Sequence, residues 1–372
     1  MGMIRDVELP PGAMNQNNPT RRIMLKFIKA GTALGLSLAM VWPATPSFAG
    51  NHAAEFFKDR QVRIAIGYGF GGTYGRYSRT MAEFLPQYIP GNPTVIVISH
   101  PGAGGIKMTN YAAQVMPRQG YNWLMPPDMS VVSQLMRPDK VKYDARKFTW
   151  LGASNQTNTI TVVRTDTGVK NWADLQKTQV ITGHTGPGST SFVMPSLYKN
   201  MMGANFKVIG GYKGSRKTIL AMEQGEIQAA SFNWLAWNAI VPHWFKKDKN
   251  GKIFARAILQ LGHFKDPGLP GLPMAKDLAK PGDRAIIAFL ATHGLIGRSL
   301  ALPPGAPKWL VKPLRAAFDK MNADPKYKST LEKRRLRLIP STGAVVQKAV
   351  MDAFAGADPK VVARARKIVF GK

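Results

Sequence analysis

The chain contains no cysteine among its 372 residues. A disulfide framework, a thiolate metal centre and a cysteine nucleophile are excluded together, and the absence suits a protein that must avoid mispairing in an oxidising compartment. Acidic residues are scarce: 21 Asp and Glu stand against 51 Lys and Arg, a formal net charge of +30. The six histidines (His52, His100, His184, His243, His263 and His293) never recur at a metal-ligand spacing. Internal repeats and low-complexity tracts are missing, so the 36 Gly and 27 Pro read as punctuation between many short elements. The length suits two lobes of ordinary size better than one minimal core.

The charge raises two readings. A nucleic-acid binder would concentrate it in a basic arm or on one helix face. The nearest runs here, Lys246-Lys247-Asp248-Lys249 and Lys333-Arg334-Arg335-Leu336-Arg337, read instead as solvated faces. No nucleic-acid partner is expected, and a field of this sign steers small anions toward a cleft.

The N-terminus reads as an export label. Thr20-Arg21-Arg22-Ile23-Met24-Leu25-Lys26 precedes an apolar stretch from Ala30 to Trp42, then Pro43, Pro46 and Ser47-Phe48-Ala49. A basic region, a short apolar core and small residues before the cut make a secretory signal cleaved after Ala49. The core is shorter than the roughly 20 helical residues that span a bilayer. The paired arginines resemble a twin-arginine signal, with general secretion as the alternative route. The mature protein is expected outside the cytoplasm, in the periplasm.

Beyond the label, strand, glycine turn and helix recur. Val62–Gly67 is a strand running into Tyr68-Gly69-Phe70-Gly71-Gly72-Thr73-Tyr74-Gly75, after which Tyr77, Met81, Phe84 and Leu85 fall at helical spacing. Thr94–Ile98 is a buried strand that ends in Pro101-Gly102-Ala103-Gly104-Gly105 before a helix at 107–115. Gln179–Gly183 leads through His184-Thr185-Gly186-Pro187-Gly188-Ser189-Thr190 into a helix at 192–202. A strand at 206–209, a helix at 217–224, a short strand ending near Asn233 and helices at 308–321, 325–334 and 344–354 follow. The alternation predicts an α/β protein with a mostly parallel sheet.

The glycine turns at 69–75 and 186–190 are the strongest chemical candidates. Each places backbone N–H groups at a helix N-terminus, where they lack helical partners and carry the positive end of the helix dipole, a setting for carboxylate or phosphate. Neither turn has the dinucleotide spacing or a Walker lysine, so no cofactor is expected. Ser189 and Ser191 are not in a nucleophile elbow, and His184 beside Ser189 is expected to shape the pocket rather than act as a base. No catalytic residue and no metal site are expected. Tyr68, Phe70, Tyr74, Trp234 and Trp237 crowd the same regions, as core or as cleft lining.

These residues, in this order, resemble the substrate-binding proteins of tripartite tricarboxylate transporters, the Bug receptors. The likeness is carried by Ile66–Arg79, Ile89-Pro90-Gly91-Asn92-Pro93-Thr94-Val95, Pro101–Gly105, Gln119-Gly120-Tyr121, Gly183–Thr190, Gly210–Ser215 and Phe318–Pro325. It implies a periplasmic-binding-protein type II-like fold, two α/β lobes joined by two crossing segments with a ligand cleft between them. The crossings are expected near 152–161 and 287–297. The lobes then comprise residues 50–155 and 289–372 on one side and 156–288 on the other, after a signal at 1–49. The resemblance also implies backbone ligand contacts from Gly71, Gly72, Thr73 and Tyr74 and from Gly188, Ser189 and Thr190, with Ser130 and Asn233 adding to the pocket. Its function would be to capture a small organic carboxylate by lobe closure and deliver it, as a monomer, to membrane transporter subunits. A sensor for a membrane signalling protein is the alternative, and an enzyme the third reading. One departure stands out: Gly75 occupies the place where the family's first loop commonly carries an Asp, which argues against an amino-acid ligand.

Overall fold

The computed structural model describes residues 48–371. The expected signal at 1–49 lies outside them, apart from its last two residues, which open the helix Phe48–Phe57. Among the described residues no helix is long and apolar enough to cross a membrane.

Among the described residues eleven strands form two sheets. They are β1 (Gln61–Ile66), β2 (Thr94–Ser99), β3 (Asn122–Met125), β4 (Thr149–Ala153), β5 (Thr159–Arg164), β6 (Val180–His184), β7 (Phe206–Gly210), β8 (Ala229–Asn233), β9 (Ala255–Leu261), β10 (Ser299–Leu302) and β11 (Ser341–Thr342). The first sheet has the order β11-β4-β10-β3-β1-β2 and the second β7-β6-β8-β5-β9. The expected strand-turn-helix units are present: β1 pairs in parallel with β2 and β3, and β6 with β7 and β8. The remaining pairs are antiparallel, so both sheets are mixed rather than mostly parallel. The cause is the passage of the chain between sheets. It leaves the first after β4, enters the second as β5 and returns as β10, and such direct entries need no helical crossover to reverse direction.

Each sheet is covered by helices whose apolar stripes meet it. Tyr77 and Met81 of the helix Thr73–Phe84 pack on Ile64 and Ile66 of β1. Val193 and Leu197 of the helix Thr190–Met202 pack with Val180 and Phe206 of β6 and β7. The final helix, Pro359–Phe370, lies on this second cluster, with Val362, Ala365 and Val369 among its buried members and Phe370 stacked 5.6 Å from Phe192. The three C-terminal stretches expected to be helical are so, as Val311–Ala323, Pro325–Lys333 and Gly343–Ala355.

The two passages between sheets touch. Gly297 has φ +53, and a Cβ there would lie 1.6 Å from the Asn155 carbonyl oxygen, so only glycine fits. Immediately beyond it the Arg298 N–H donates to Asn155 O at 2.9 Å, and Ser154 N–H donates to Arg298 O at 3.1 Å. The first passage is polar yet buried: Ser154 bonds Asn322 and Tyr327, and Asn158 donates to Gln260. Hydrogen bonding offsets most of what such burial would otherwise cost, Asn155 Oδ1 and Asn158 Oδ1 being left without a partner.

Candidate functional site

The carboxyl ends of β1, β6 and β8 converge on one cavity, as open α/β sheets place their ligand sites. It is lined by Tyr68, Gly72, Thr73, Tyr74, Asp128, Thr185, Ser189, Thr190, Ser215, Phe232, Asn233, Ala236 and Arg298, and its volume is about 30 Å³. Three helices of eight or more residues begin at this wall: Thr73–Phe84, Thr190–Met202 and Ser215–Glu223. Their first-turn amides have no intrahelical acceptor, and each dipole adds about half a positive charge at that end. None of the three carries an acidic residue in its first turn. The charge that usually neutralises a helix start is therefore left for something else to supply.

Six of the nine residues named from the sequence meet here: Gly72, Thr73, Tyr74, Ser189, Thr190 and Asn233. Asn233 caps the helix Trp234–Ile240 through its side-chain oxygen, which accepts from the Ala236 N–H at 2.9 Å and leaves the amide NH₂ as a donor. The other three lie elsewhere. Gly71 is on the outer face of its loop, against the Arg216 stem. Ser130 is two residues beyond Asp128 and turns away, its hydroxyl donating to Pro127 O at 2.5 Å. Gly188 faces the opposite lobe: a Cβ there would meet Ala103 O at 2.8 Å and Ile106 Cδ1 at 2.6 Å. Its lack of a side chain lets the two lobes touch. Of the aromatics, Tyr68 and Tyr74 line the cavity, stacked at 4.5 Å. Trp237 and Trp234 pack in the core, and Phe70 is 41% exposed.

The departure at Gly75 has a steric cause. A Cβ there would lie 2.3 Å from Phe70 O, so no side chain can occupy that position. The cavity nevertheless contains a carboxylate, from Asp128, which sits just beyond β3.

Asp128 and Arg298 are the two charged residues of the cavity, and sequence reading named neither. Arg298 is 0% exposed. Its Nη1 lies 3.4 Å from Asp128 Oδ2, its Nη2 donates to Thr73 Oγ1 at 2.9 Å, and its guanidinium carbon stands 3.9 Å from the Tyr74 ring centre. The Asp128 N–H donates to the Tyr74 hydroxyl oxygen at 2.7 Å. One buried cation thus braces the first glycine turn from below through both Thr73 and Tyr74. Burial presses the guanidinium toward its neutral form, but Tyr74 and Asp128 more than offset this, holding it above the usual arginine range. Burial raises the Tyr74 and Tyr68 phenols far above theirs, so both remain protonated donors. The available signal was a lone cation within the apolar stretch Ile286–Leu302, since an unpaired charge rarely enters a core.

The second turn is held without charge. Ser189 Oγ donates to Gly186 O at 2.7 Å and lies 2.8 Å from Ser191 Oγ. The Gly186 N–H donates to His184 Nδ1 at 3.0 Å. Burial lowers the His184 pKa, which keeps that nitrogen an acceptor. His184 therefore shapes the turn, and no bond joins it to Ser189. Among the described residues no group of three His, Asp or Glu could hold a metal ion.

Two-lobed α/β architecture with a polar cleft at the strand ends defines a periplasmic-binding-protein fold, and solved structures agree. The periplasmic binding protein BugD is similar over 84% of this chain and 98% of its own, at 17% identity and TM-score 0.66. An R. palustris protein solved with adipate matches over 82% and 97%, at 18% identity and TM-score 0.63. MatC from Rhodopseudomonas palustris, solved with bound malate, matches over 83% and 99%, at 15% identity and TM-score 0.62. No curated protein matches the sequence. The profile of the tripartite tricarboxylate transporter family receptors matches residues 79–353, and the chain belongs to that family. It is a solute-binding receptor of the tripartite transport class.

Proposed function

We propose that this chain captures a small organic carboxylate between its lobes, outside the cytoplasm, and presents the loaded form to membrane transporter subunits. The observation that carries the reading is the meeting of three helix N-termini, none with an acidic first turn, around one cavity. The ligand carboxylate would take the amides of Thr73 and Tyr74 on one side and that of Thr190 on the other, the Ser189 amide already donating to Gly186 O at 3.0 Å. Asn233, Thr185 and Ser215 would add side-chain donors. Charge-assisted bonds of this kind are short and about twice as strong as neutral ones. The malate and adipate bound by similar structures are in keeping with this chemistry.

Residues 50–155 and 289–372 would form one lobe and 156–288 the other, except that the final helix Pro359–Phe370 lies against the second, after export and cleavage behind Ala49. A cavity of about 30 Å³ admits a water or two and no organic acid, so binding requires the lobes to part and close again about the passages near Asn155 and Gly297. Such closure is a population shift toward the form the ligand contacts best. The reading makes the protein a carrier rather than a catalyst. Asp128 and Arg298 offset each other, and the Ser189 hydroxyl is engaged by Gly186 O and Ser191, which leaves donors without a nucleophile–base pair.

A thermal-shift screen of the purified chain with dicarboxylates, tricarboxylates, aromatic acids and amino acids tests the proposal. A ligand that binds only the folded state raises the melting temperature with saturation. One carboxylate class should do so. Stabilisation by neutral or cationic solutes alone would refute the reading.

A further inference from the structure

On the outer side of the first glycine turn, away from the cavity just described, lies a recess of about 540 Å³ lined by Gly71, Arg76, Arg79, Glu83, Arg216, Ile240 and Arg334. Four arginines thus face one carboxylate. That carboxylate is already used, because Arg334 holds Glu83 with both guanidinium nitrogens, at 3.0 and 2.7 Å. Arg76 is used as well, donating to Ala239 O at 3.1 Å and Arg334 O at 2.6 Å. Arg79 and Arg216 have no carboxylate partner among the described residues.

The recess also joins the two halves of the molecule. Arg76 and Arg79 stand on the helix that follows β1, and Arg216 on the helix that follows β7. The Arg76 bond to Ala239 spans the same boundary. Bringing the lobes together therefore concentrates like charge here. The half-buried Arg76 registers it: burial first, then Arg79, Arg334, Arg335 and Arg216, lower its pKa. A protein surface ordinarily intersperses carboxylates among so many cations; this one supplies a single, committed Glu.

We propose that this recess is a second anion site, which takes a small multivalent carboxylate between Arg79 and Arg216. Its volume of about 540 Å³ is in the range that small molecules occupy. The site stands apart from the pocket reading, since its residues and those of the pocket do not overlap.

The test is isothermal titration of the full processed chain with citrate as the probe, at low and at near-physiological salt. Wild type should show a rim event that weakens at least about tenfold as salt screens it. Arg79→Gln/Arg216→Gln should lose that event, with affinity falling at least about tenfold, while Arg79→Lys/Arg216→Lys retains most of it. Both arginines are exposed, so circular dichroism and melting should be unchanged in each variant. Citrate taken up in the main pocket would appear as a separate event untouched by the double substitution. If wild type shows no salt-sensitive event, or the glutamine variant keeps every event at wild-type affinity and salt dependence, the rim site is overturned; failure of every carboxylate to stabilise the wild-type chain would strike the carboxylate-capture reading instead.

Discussion

The two glycine turns share one sequence grammar and are built on different physics. Both follow a parallel strand, both open a helix and both face the cavity. The first rests on a buried cation, with Arg298 beneath Thr73 and Tyr74. The second rests on neutral groups, a hydroxyl pair and an unprotonated imidazole. Their glycines also differ in purpose. Gly72 lets a helix start approach the cavity, whereas Gly188 lets one lobe touch the other. A motif therefore announces a turn and a helix start without saying what holds the turn in place.

The comparison can be broken first at its charged end. Arg298→Met leaves Asp128 buried without its counter-ion, and removing one member of such a pair costs about 3–5 kcal/mol. Chemical denaturation should show a loss of that order, and Asp128→Asn in the same chain should restore much of it. An unaltered stability in Arg298→Met would remove the brace from the account.

The second turn breaks sterically. A valine at 188 would press on Ala103 O and Ile106 Cδ1 of the facing lobe, and closure fails while each lobe stays folded. Carboxylate affinity should drop about a hundredfold, or ~2.7 kcal/mol. Small-angle scattering should show a wider molecule that ligand no longer compacts. Gly72→Ala is the milder counterpart, because the added methyl meets Ser215 Oγ at 2.9 Å, a side-chain atom that can rotate away. Its expected cost is about tenfold, ~1.4 kcal/mol.

The smallest effect separates the turns by pH. Burial lowers the pKa of His184, and also of His263 and His293. The unfolded chain then takes up protons before the folded one does, so stability falls as pH drops below about 6.5. At the site, protonated His184 can no longer accept from Gly186. Binding should weaken in acid by about 1 kcal/mol, the usual worth of one hydrogen bond. His184→Gln should flatten this dependence. The first turn contributes none of it, since neither Arg298 nor Tyr74 changes state in that range. A wild-type acid profile in the glutamine variant would assign the effect elsewhere.

What was readable from the sequence follows the same division. Glycine turns and amphipathic helices are local, so β1, β2, β6 and β7 with the helices after them, and β8 alone, were legible from spacing. The strands β4, β5, β9 and β10 were not. They are buried along nearly their whole length, polar residues included, and their partners lie far away in the chain, as Thr159 pairs with both Asn233 and Leu261. The site divides likewise. Thr73, Tyr74, Ser189 and Thr190 sit on legible turns, whereas Asp128 and Arg298 are 170 residues apart and meet only once both passages between the sheets are in place. Gly188 was legible as a glycine of the right turn, but its task belongs to the opposite lobe, about which local pattern says nothing.

The central claim is that the first amides of the two turns share one carboxylate. The structure of the protein crystallised with whichever acid stabilises it most tests this directly. The account predicts a carboxylate within hydrogen-bond distance of the Thr73 and Tyr74 amides, with Ser189 and Thr190 closing on the ligand from the other lobe. A ligand held with its carboxylate turned away from both helix starts would contradict it.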